Sequence, residues 1–522
     1  YGHYDIIDTL PDDEKHILIA FYPWRLQGNT WVSSEHALPI IYRLNVLTGK
    51  KKKRGMLPMP HARALADSQG QVRFSVARRG FGSTVHYRDN NDDEWQQFEL
   101  GTLSISHAQP ISFAADNQGV FFSGYVDGGT EGLFFMDLRD QSVEKVYHNG
   151  AVDPTRYLLD YQQRHIIGVA TEFGLPEYHY TDQQHHKAVL HRALRRVFPD
   201  NEVVITSSTK DGGMSLAFVY SDTNPGEFFL YHRDDKRLEF LFRYMEQVDP
   251  ARMAKRRPIA IEARDGLQLH GYLTLPQNQS KNLPMVVHPQ GGPHFVRDRW
   301  RFDSAVQMLA HYGYAVLQLN FRGSGGFGKS FEAAGQGQWG GVMQDDLTDA
   351  TRSLIEQGIA DPQRICIYGS SYGGYAALMG AVKEPALYRC AIGSMGVYDL
   401  PMMFREGDIR ESSSGLEYLR QTLGTDKELQ QARSPTYNAA KIEANVLLIH
   451  GTADKRAPIK HAQAMKSALD NAEKSYEWLQ IKAGGHGFYN EENREIAYRR
   501  VLDFLHANIG QPDEPVSAIS VD

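Results

Sequence analysis

The chain has 522 residues, 41% of them hydrophobic and 23% charged, with a net charge of −7 at pH 7. Single hydrophobic cores stop growing near about 250–300 residues, so this length excludes one domain and predicts two. The acidic balance argues against a nucleic-acid partner, and no apolar run is long enough to span a bilayer, so neither nucleic acid nor membrane is an expected partner.

Residues 1–245 alternate short apolar runs with turn chemistry. His16-Ile-Leu-Ile-Ala-Phe-Tyr22, Gln71-Val-Arg-Phe-Ser-Val76, Gly119-Val-Phe-Phe-Ser-Gly-Tyr125, His165-Ile-Ile-Gly-Val-Ala170 and Met214-Ser-Leu-Ala-Phe-Val-Tyr220 are rich in aromatic and β-branched residues, as strands are. Acidic or Gly/Asn turns precede them, and a second, aromatic strand ending in charged residues commonly follows. The unit recurs at roughly 45–50 residues, the size of a four-stranded propeller blade, which predicts about five blades. A β-sandwich pair would give similar strand spacing. The basic run Lys50-Lys51-Lys52-Lys53-Arg54 reads as a solvated turn between strands.

Residues 246–260 are polar and proline-bounded and read as a linker. From 261 to 510 the pattern changes. Apolar runs such as Pro284-Met-Val-Val-His288, Ala315-Val-Leu-Gln-Leu319, Ile365-Cys-Ile-Tyr368 and Val446-Leu-Leu-Ile-His450 alternate with helical periods. Strands that are apolar throughout, separated by helices, predict a mostly parallel sheet covered on both faces, an α/β fold. Residues 511–522 read as a flexible tail. The two cysteines, Cys366 and Cys390, both fall in apolar strand-like runs and are expected as buried free thiols. The chain opens on Tyr1 without a methionine, as a processed or truncated form would. The compartment is not readable; a soluble protein of the cytoplasm or periplasm is expected.

The strand at 364–368 runs into Gly369-Ser-Ser371-Tyr-Gly-Gly374, and a helix-like Tyr375-Ala-Ala-Leu-Met follows. Strand, G-x-S-x-G turn and helix in that order are a nucleophile elbow of the α/β-hydrolase type, with Ser371 as nucleophile. A serine hydroxyl needs a neighbouring base. In this fold the acid precedes the histidine, which comes last. His486, in Ala483-Gly-Gly-His-Gly-Phe488, fits the base better than His450 beside the acid or His461 and His506 on apparent helices, where a surface role is expected. Asp454, after the strand 446–450, fits the acid, with Asp399 as its rival and a helix N-cap as its alternative duty. The oxyanion of acyl transfer needs fixed N–H donors. Tyr372, immediately after the serine, offers one, and the loop His288-Pro-Gln-Gly-Gly-Pro-His294 offers the other through Gly291 or Gly292.

With these residues placed, the chain resembles the prolyl oligopeptidase family of serine peptidases, in particular its acylaminoacyl-peptidase and dipeptidyl-peptidase branches. The resemblance rests on Gln290-Gly-Gly-Pro-His294, Asn320-Phe-Arg-Gly-Ser-Gly-Gly-Phe-Gly328, Gly340-Gly-Val-Met-Gln-Asp-Asp346, Asp361-Pro-Gln-Arg364, Gly369-Ser-Ser-Tyr-Gly-Gly-Tyr375, His450-Gly-Thr-Ala-Asp454 and Gly485-His-Gly-Phe488. It implies an N-terminal all-β propeller capping the hydrolase, peptide substrates admitted to a cavity between the two, and no metal or organic cofactor. Family propellers usually have more blades than five, which would mean an incomplete propeller or unrecognised repeats. Gln290 stands where many relatives have His or Tyr, so the second oxyanion donor would be the Gly292 N–H or the Gln290 amide. The adjacent glutamates that hold a free N-terminus in dipeptidyl peptidases are matched only by Glu491-Glu492, far from the propeller. Arg456 matches an arginine that grips a substrate carbonyl. Tyr372, Tyr398, Met402 and Phe404 would wall an apolar pocket. His185-His186 are expected to lack further metal ligands nearby, and Arg322 and Asp345-Asp346 to anchor loops through ion pairs. The implied function is a serine peptidase acting on short peptides, of dipeptidyl, acylaminoacyl or oligopeptidase type. An esterase on the same scaffold and a catalytically impaired binding scaffold are the alternatives; a homo-oligomer is compatible with either.

Overall fold

The computed structural model describes residues 1–27, 30–79, 82–98, 105–160 and 165–510. The stretch read as a tail, 511–522, lies outside the described residues.

The N-terminal region forms five antiparallel sheets among the described residues, the blades of a β-propeller. The first contains Gly2–Asp8, His16–Gln27, Thr30–Ser33, Ile40–Asn45 and Lys51–Met56; the second runs from Arg63–Ala66 to Gln96–Phe98 and the third from Ile105–Phe113 to Val143–Tyr147. The fourth has three strands, Pro154–Asp160, His165–Phe173 and Leu175–His179. A helix, His186–Val197, leads into the fifth, from Glu202–Ser208 to Arg237–Arg243. Alternation places one face of each strand against the next blade. Phe74 and Val85 of the second blade thus share a core with Phe113, Val120 and Phe122 of the third. The rings of Phe74 and Phe122 meet edge to face, 5.5 Å between centroids, the arrangement aromatic quadrupoles favour. Residues 51–54 of the basic run form an exposed stretch of strand rather than a turn.

The C-terminal region is an α/β hydrolase built on an eight-stranded sheet. Its strands are β1 (Arg256–Glu262), β2 (Gln268–Thr274), β3 (Leu283–Val287), β4 (Ala315–Asn320), β5 (Ala360–Ser370), β6 (Cys390–Ser394), β7 (Asn445–Gly451) and β8 (Tyr476–Ile481). They pair in the order β1-β2-β4-β3-β5-β6-β7-β8; β2 runs antiparallel to both of its neighbours, β1 and β4, and the other pairs are parallel. The first strand starts inside the stretch read as linker. Pro258 hid it, because proline is tolerated on an edge strand such as β1.

Strand alternation feeds two cores. Met285, Val287, Leu317, Ile365, Ile367 and Leu448 meet Met343, Leu347 and Leu378 on one face. Val286, Val316, Ile392, Leu447 and Ile449 meet Val306, Leu309, Val501 and Phe504 on the other. Each fully buried apolar side chain of this size stabilises by about 1.5–3 kcal/mol, and β3, β4 and β6 are buried along their whole length. Cys366 and Cys390, expected as free thiols, are instead joined in a disulfide. They are register partners on the parallel strands β5 and β6, a proximity that strand runs alone do not reveal.

The domains meet at buried polar contacts. Glu172 of the fourth blade accepts hydrogen bonds from Tyr272 Oη on β2, at 2.7 Å, and from the Trp300 amide, at 2.6 Å. Within the hydrolase, Arg322 at the end of β4 makes a bidentate pair with Asp346, its Nη2 at 2.6 Å from Oδ1, and its Nη1 is 2.7 Å from Asp265 Oδ2. Asp345 bonds Arg264, at 3.1 Å, and Lys383, at 2.9 Å. Arg322 and Asp346 are buried, and losing one partner of a buried pair strands the other charge. Asp346→Ala is therefore expected to destabilise the hydrolase by about 3–5 kcal/mol, read as a lower urea midpoint at unchanged slope. Asp349→Ala, at the more exposed pair with Arg264, should cost about 1 kcal/mol or less.

Candidate active site

Ser371 sits between β5 and the helix Tyr372–Lys383, at φ 59° and ψ −121°. An L-residue at such angles pays about 1–3 kcal/mol. The close packing around it explains the neighbouring glycines. A Cβ on Gly369 would overlap the Gly373 backbone, and one on Gly373 would overlap the Pro289 carbonyl. The strain lifts the serine side chain off the sheet, while its own amide is tied to Ser394 O at 2.9 Å.

Two loops from the carboxyl ends of later strands reach this serine. Asp454 follows β7 in a tight turn where the Arg456 and Ala457 amides both donate to its Oδ1 at 2.9 Å. Its side chain is fully buried, and its other oxygen, Oδ2, lies 2.8 Å from His486 Nδ1. His486 Nε2 is 3.0 Å from Ser371 Oγ. The structure thus brings Ser371, His486 and Asp454 into one hydrogen-bonded row. In that row Nδ1–H donates to the carboxylate, which leaves Nε2 as an acceptor facing the hydroxyl.

The rival residues have other partners, although His450 Nε2 lies 3.6 Å from Asp454 Oδ2. Asp399 Oδ1 accepts from the Met402 amide at 2.9 Å, in the first turn of the short helix Pro401–Phe404. His450 Nε2 is 2.7 Å from Ala457 O, and burial holds its pKa below the ordinary value. His461, expected at a helix surface, is enclosed, and burial pushes its pKa down to about 3. The sequence showed its helix but not the face it presents.

The loop at 288–294 wraps the elbow. A Cβ on Gly291 would lie 3.7 Å from Ser371 Cβ, so this backbone lies against the serine; Gly292 has φ +121°. The Gln290 amide is engaged elsewhere, donating to Ser324 Oγ at 2.8 Å and to Val296 O at 3.2 Å. Tyr372 and Tyr398 are 1% and 0% exposed, so neither ring walls an open pocket. Tyr372 packs on Phe321, Trp339 and Tyr375. Tyr398 fills the space that Gly393 and Gly396 leave. An apolar residue beside an elbow can face the core as readily as a cavity, and here the core took both. Met402 and Phe404 are half-buried. Arg456 is exposed and pairs with Asp408 at 2.5 Å.

Glu491 and Glu492 lie in the first turn of the helix Glu491–Ile509, where acidic charge complements the helix dipole. His185 and His186 do have a further ligand-type neighbour, buried Asp160, the three ligand atoms lying within 4.8 Å of one another. Lys187 Nζ, 2.8 Å from Asp160 Oδ1, already supplies the positive charge there.

Residues 300–512 match the Prolyl oligopeptidase family. That match spans most of the hydrolase domain. The hydrolase domain is of the serine-type peptidase class. Over 490 residues the chain is 27% identical to dipeptidyl aminopeptidase BIII of Pseudoxanthomonas mexicana, covering 91% of this chain and 70% of that enzyme. Its fold is similar to that of a Mycobacterium tuberculosis puromycin-hydrolyzing peptidase, with a TM-score of 0.75 at 18% identity, covering 98% of this chain and 79% of that one. It is also similar to a Pyrococcus horikoshii acylaminoacyl peptidase, with a TM-score of 0.69 at 16% identity, covering 96% and 81%.

The elbow's tight backbone predicts the effect of a single methyl group. Gly373→Ala is expected to push the 288–294 loop off the serine and lower kcat by on the order of 10²-fold, with a smaller change in KM, in steady-state assays of folded protein.

Proposed function

We propose that this chain hydrolyses short peptides by acyl transfer through Ser371, His486 and Asp454, as a peptidase of dipeptidyl or acylaminoacyl type. The observation that carries the reading is the hydrogen-bonded row at 3.0 Å and 2.8 Å, mounted on a strained strand-to-helix turn. His486 Nε2 takes the hydroxyl proton as Ser371 Oγ attacks the scissile carbonyl. Asp454 holds the imidazole by Nδ1 and stabilises the positive charge that develops on it. The tetrahedral oxyanion is received by the Tyr372 N–H and by an N–H of the Gly291–Gly292 pair. The imidazolium then protonates the leaving amine, and water repeats the sequence on the acyl-enzyme. All of this chemistry uses side chains and backbone of the chain itself.

Two relatives and neighbours, a dipeptidyl aminopeptidase and an acylaminoacyl peptidase, support the substrate class. Both are named as peptidases. A propeller over the hydrolase suits short peptides by admitting only slender chains. In this reading Met402 and Phe404 supply apolar surface for the residue before the cut, and Arg456, on the turn that holds Asp454, exchanges Asp408 for a substrate carbonyl. An apolar or proline residue at that position is the expected preference.

Ser371→Ala and His486→Ala are each expected to lower kcat by on the order of 10⁴–10⁶, and Asp454→Ala by about 10⁴. Asp399→Ala should cost far less. Turnover of chromogenic dipeptide and acyl-amino-acid anilides checks this, alongside fluorophosphonate labelling of Ser371 in the active wild type. Labelling at another residue, or full activity in the Ser371 variant, would overturn the proposal.

A further inference from the structure

The loop 322–328, which carries Ser324, is anchored in both domains. On the hydrolase side it starts at Arg322, fixed to Asp346. On the other side it reaches the propeller. Asp153, just before the fourth blade, donates its amide to Gly326 O at 3.0 Å. Its Oδ2 accepts from the Gly328 amide at 3.3 Å, and its Oδ1 from the Glu131 amide at 2.7 Å. Beside it, the Lys329 and Ser330 amides donate to Gly129 O and Gly128 O of the third blade's hairpin, at 2.9 and 3.1 Å.

The same loop is the outer support of the segment that carries Gly291 and Gly292. Ser324 Oγ takes the Gln290 amide at 2.8 Å, the Gly325 amide donates to Val296 O at 3.0 Å, and His294 Nδ1 is 3.1 Å from Gly323 O. Asp153, the loop 322–328 and the segment 288–296 form one continuous hydrogen-bonded chain that ends beside Ser371. None of its members upstream of Gly291 is needed to touch a substrate.

We propose that Asp153 is a positioning residue of the oxyanion site: from the propeller it holds the loop 322–328 in the one place where that loop can hold Gly291 and Gly292 against the serine. The inference rests on the acyl-transfer reading above. It assigns the propeller a catalytic contribution separate from screening substrates. The surroundings add a pH dependence. Asp153 shares its enclosed space with Glu131 and Glu332. Arg78, Lys329, Arg297 and His148 are the cationic or titratable groups facing the cluster, with Tyr125 and Tyr157 beside them. Burial, the largest cause, raises both glutamates to about 7 and raises Asp153 as well. Acids whose pKa is raised in the docked state favour docking while they are protonated. That support is complete below their ordinary range and is lost as pH rises through about 7.

The test is kinetic, on the full chain, using a chromogenic acyl-amino-acid or dipeptide anilide and active-site titration to count folded sites. Asp153→Asn should lower kcat about 10-fold and Asp153→Ala about 100-fold, with KM within about twofold, because a displaced donor is felt in the transition state. A peptide boronic acid, which mimics the tetrahedral state, should weaken by the same factors. Ser324→Ala, wholly within the hydrolase, should give the same signature, and the double variant Asp153→Asn/Ser324→Ala should cost less than the product of the singles. Glu131→Gln and Glu332→Gln should move the alkaline loss of kcat to higher pH. Three outcomes would overturn the inference: an unchanged kcat in both Asp153 variants, a change confined to KM, or fully multiplicative singles. If wild-type Ser371 takes the fluorophosphonate label while these results fail, the positioning role falls and the acyl-transfer reading stands. If the protein is active and Ser371 is not labelled, that reading falls first.

Discussion

The proposed chemistry depends on one constraint, a serine held at φ 59° between a buried strand and a helix. In a relaxed conformation the hydroxyl would point along the sheet and no loop histidine could reach it. The strain is tolerated because β5 is fixed on both sides by β3 and β6, and because Gly369 and Gly373 remove the atoms that would collide. Neighbouring parts inherit the same geometry. The helix after the serine leaves its first amides without intrahelical partners, and the loop at 288–294 packs onto the space left by Gly373. A cost of a few kcal/mol in one dihedral pair therefore organises the proposed donors, base and acid together.

The sheet supplies the rigidity and the loops supply the reach. β7 and the turn after it present Asp454 with one oxygen fully engaged, so the carboxylate cannot rotate away from His486. The histidine sits in a glycine-bracketed loop, with a partly exposed side chain, where small adjustments are possible. That division suits a base that must accept a proton from one oxygen and pass it to a leaving amine nearby.

Much of the hydrolase was legible because its signals are local. G-x-S-x-G between an apolar strand and a helical run fixes the place of Ser371, and the chain order of the parallel strands then narrows the candidates for its partners. The propeller was legible as strand spacing, and five sheets appear among the described residues. What sequence could not provide was facing. Tyr398 and His461 carry chemistry-bearing groups, yet both point into cores; the pairing of Cys366 with Cys390 depends on register between two strands separated by a helix. The contacts of Asp153 were invisible for the same reason, since they join residues 175 positions apart through backbone amides that carry no sequence mark.

The turn at Asp454 has a consequence for the isosteric amide. Two amides hold Oδ1, so an asparagine there would keep its carbonyl oxygen on those donors and be obliged to turn its NH₂ toward His486. A ring nitrogen facing that NH₂ must become an acceptor, which forces the imidazole proton onto Nε2. The nitrogen opposite Ser371 would then be a donor, unable to receive anything from the hydroxyl. The shape of the site would survive while the direction of its proton flow was reversed, so a structure of that variant would look competent and be silent.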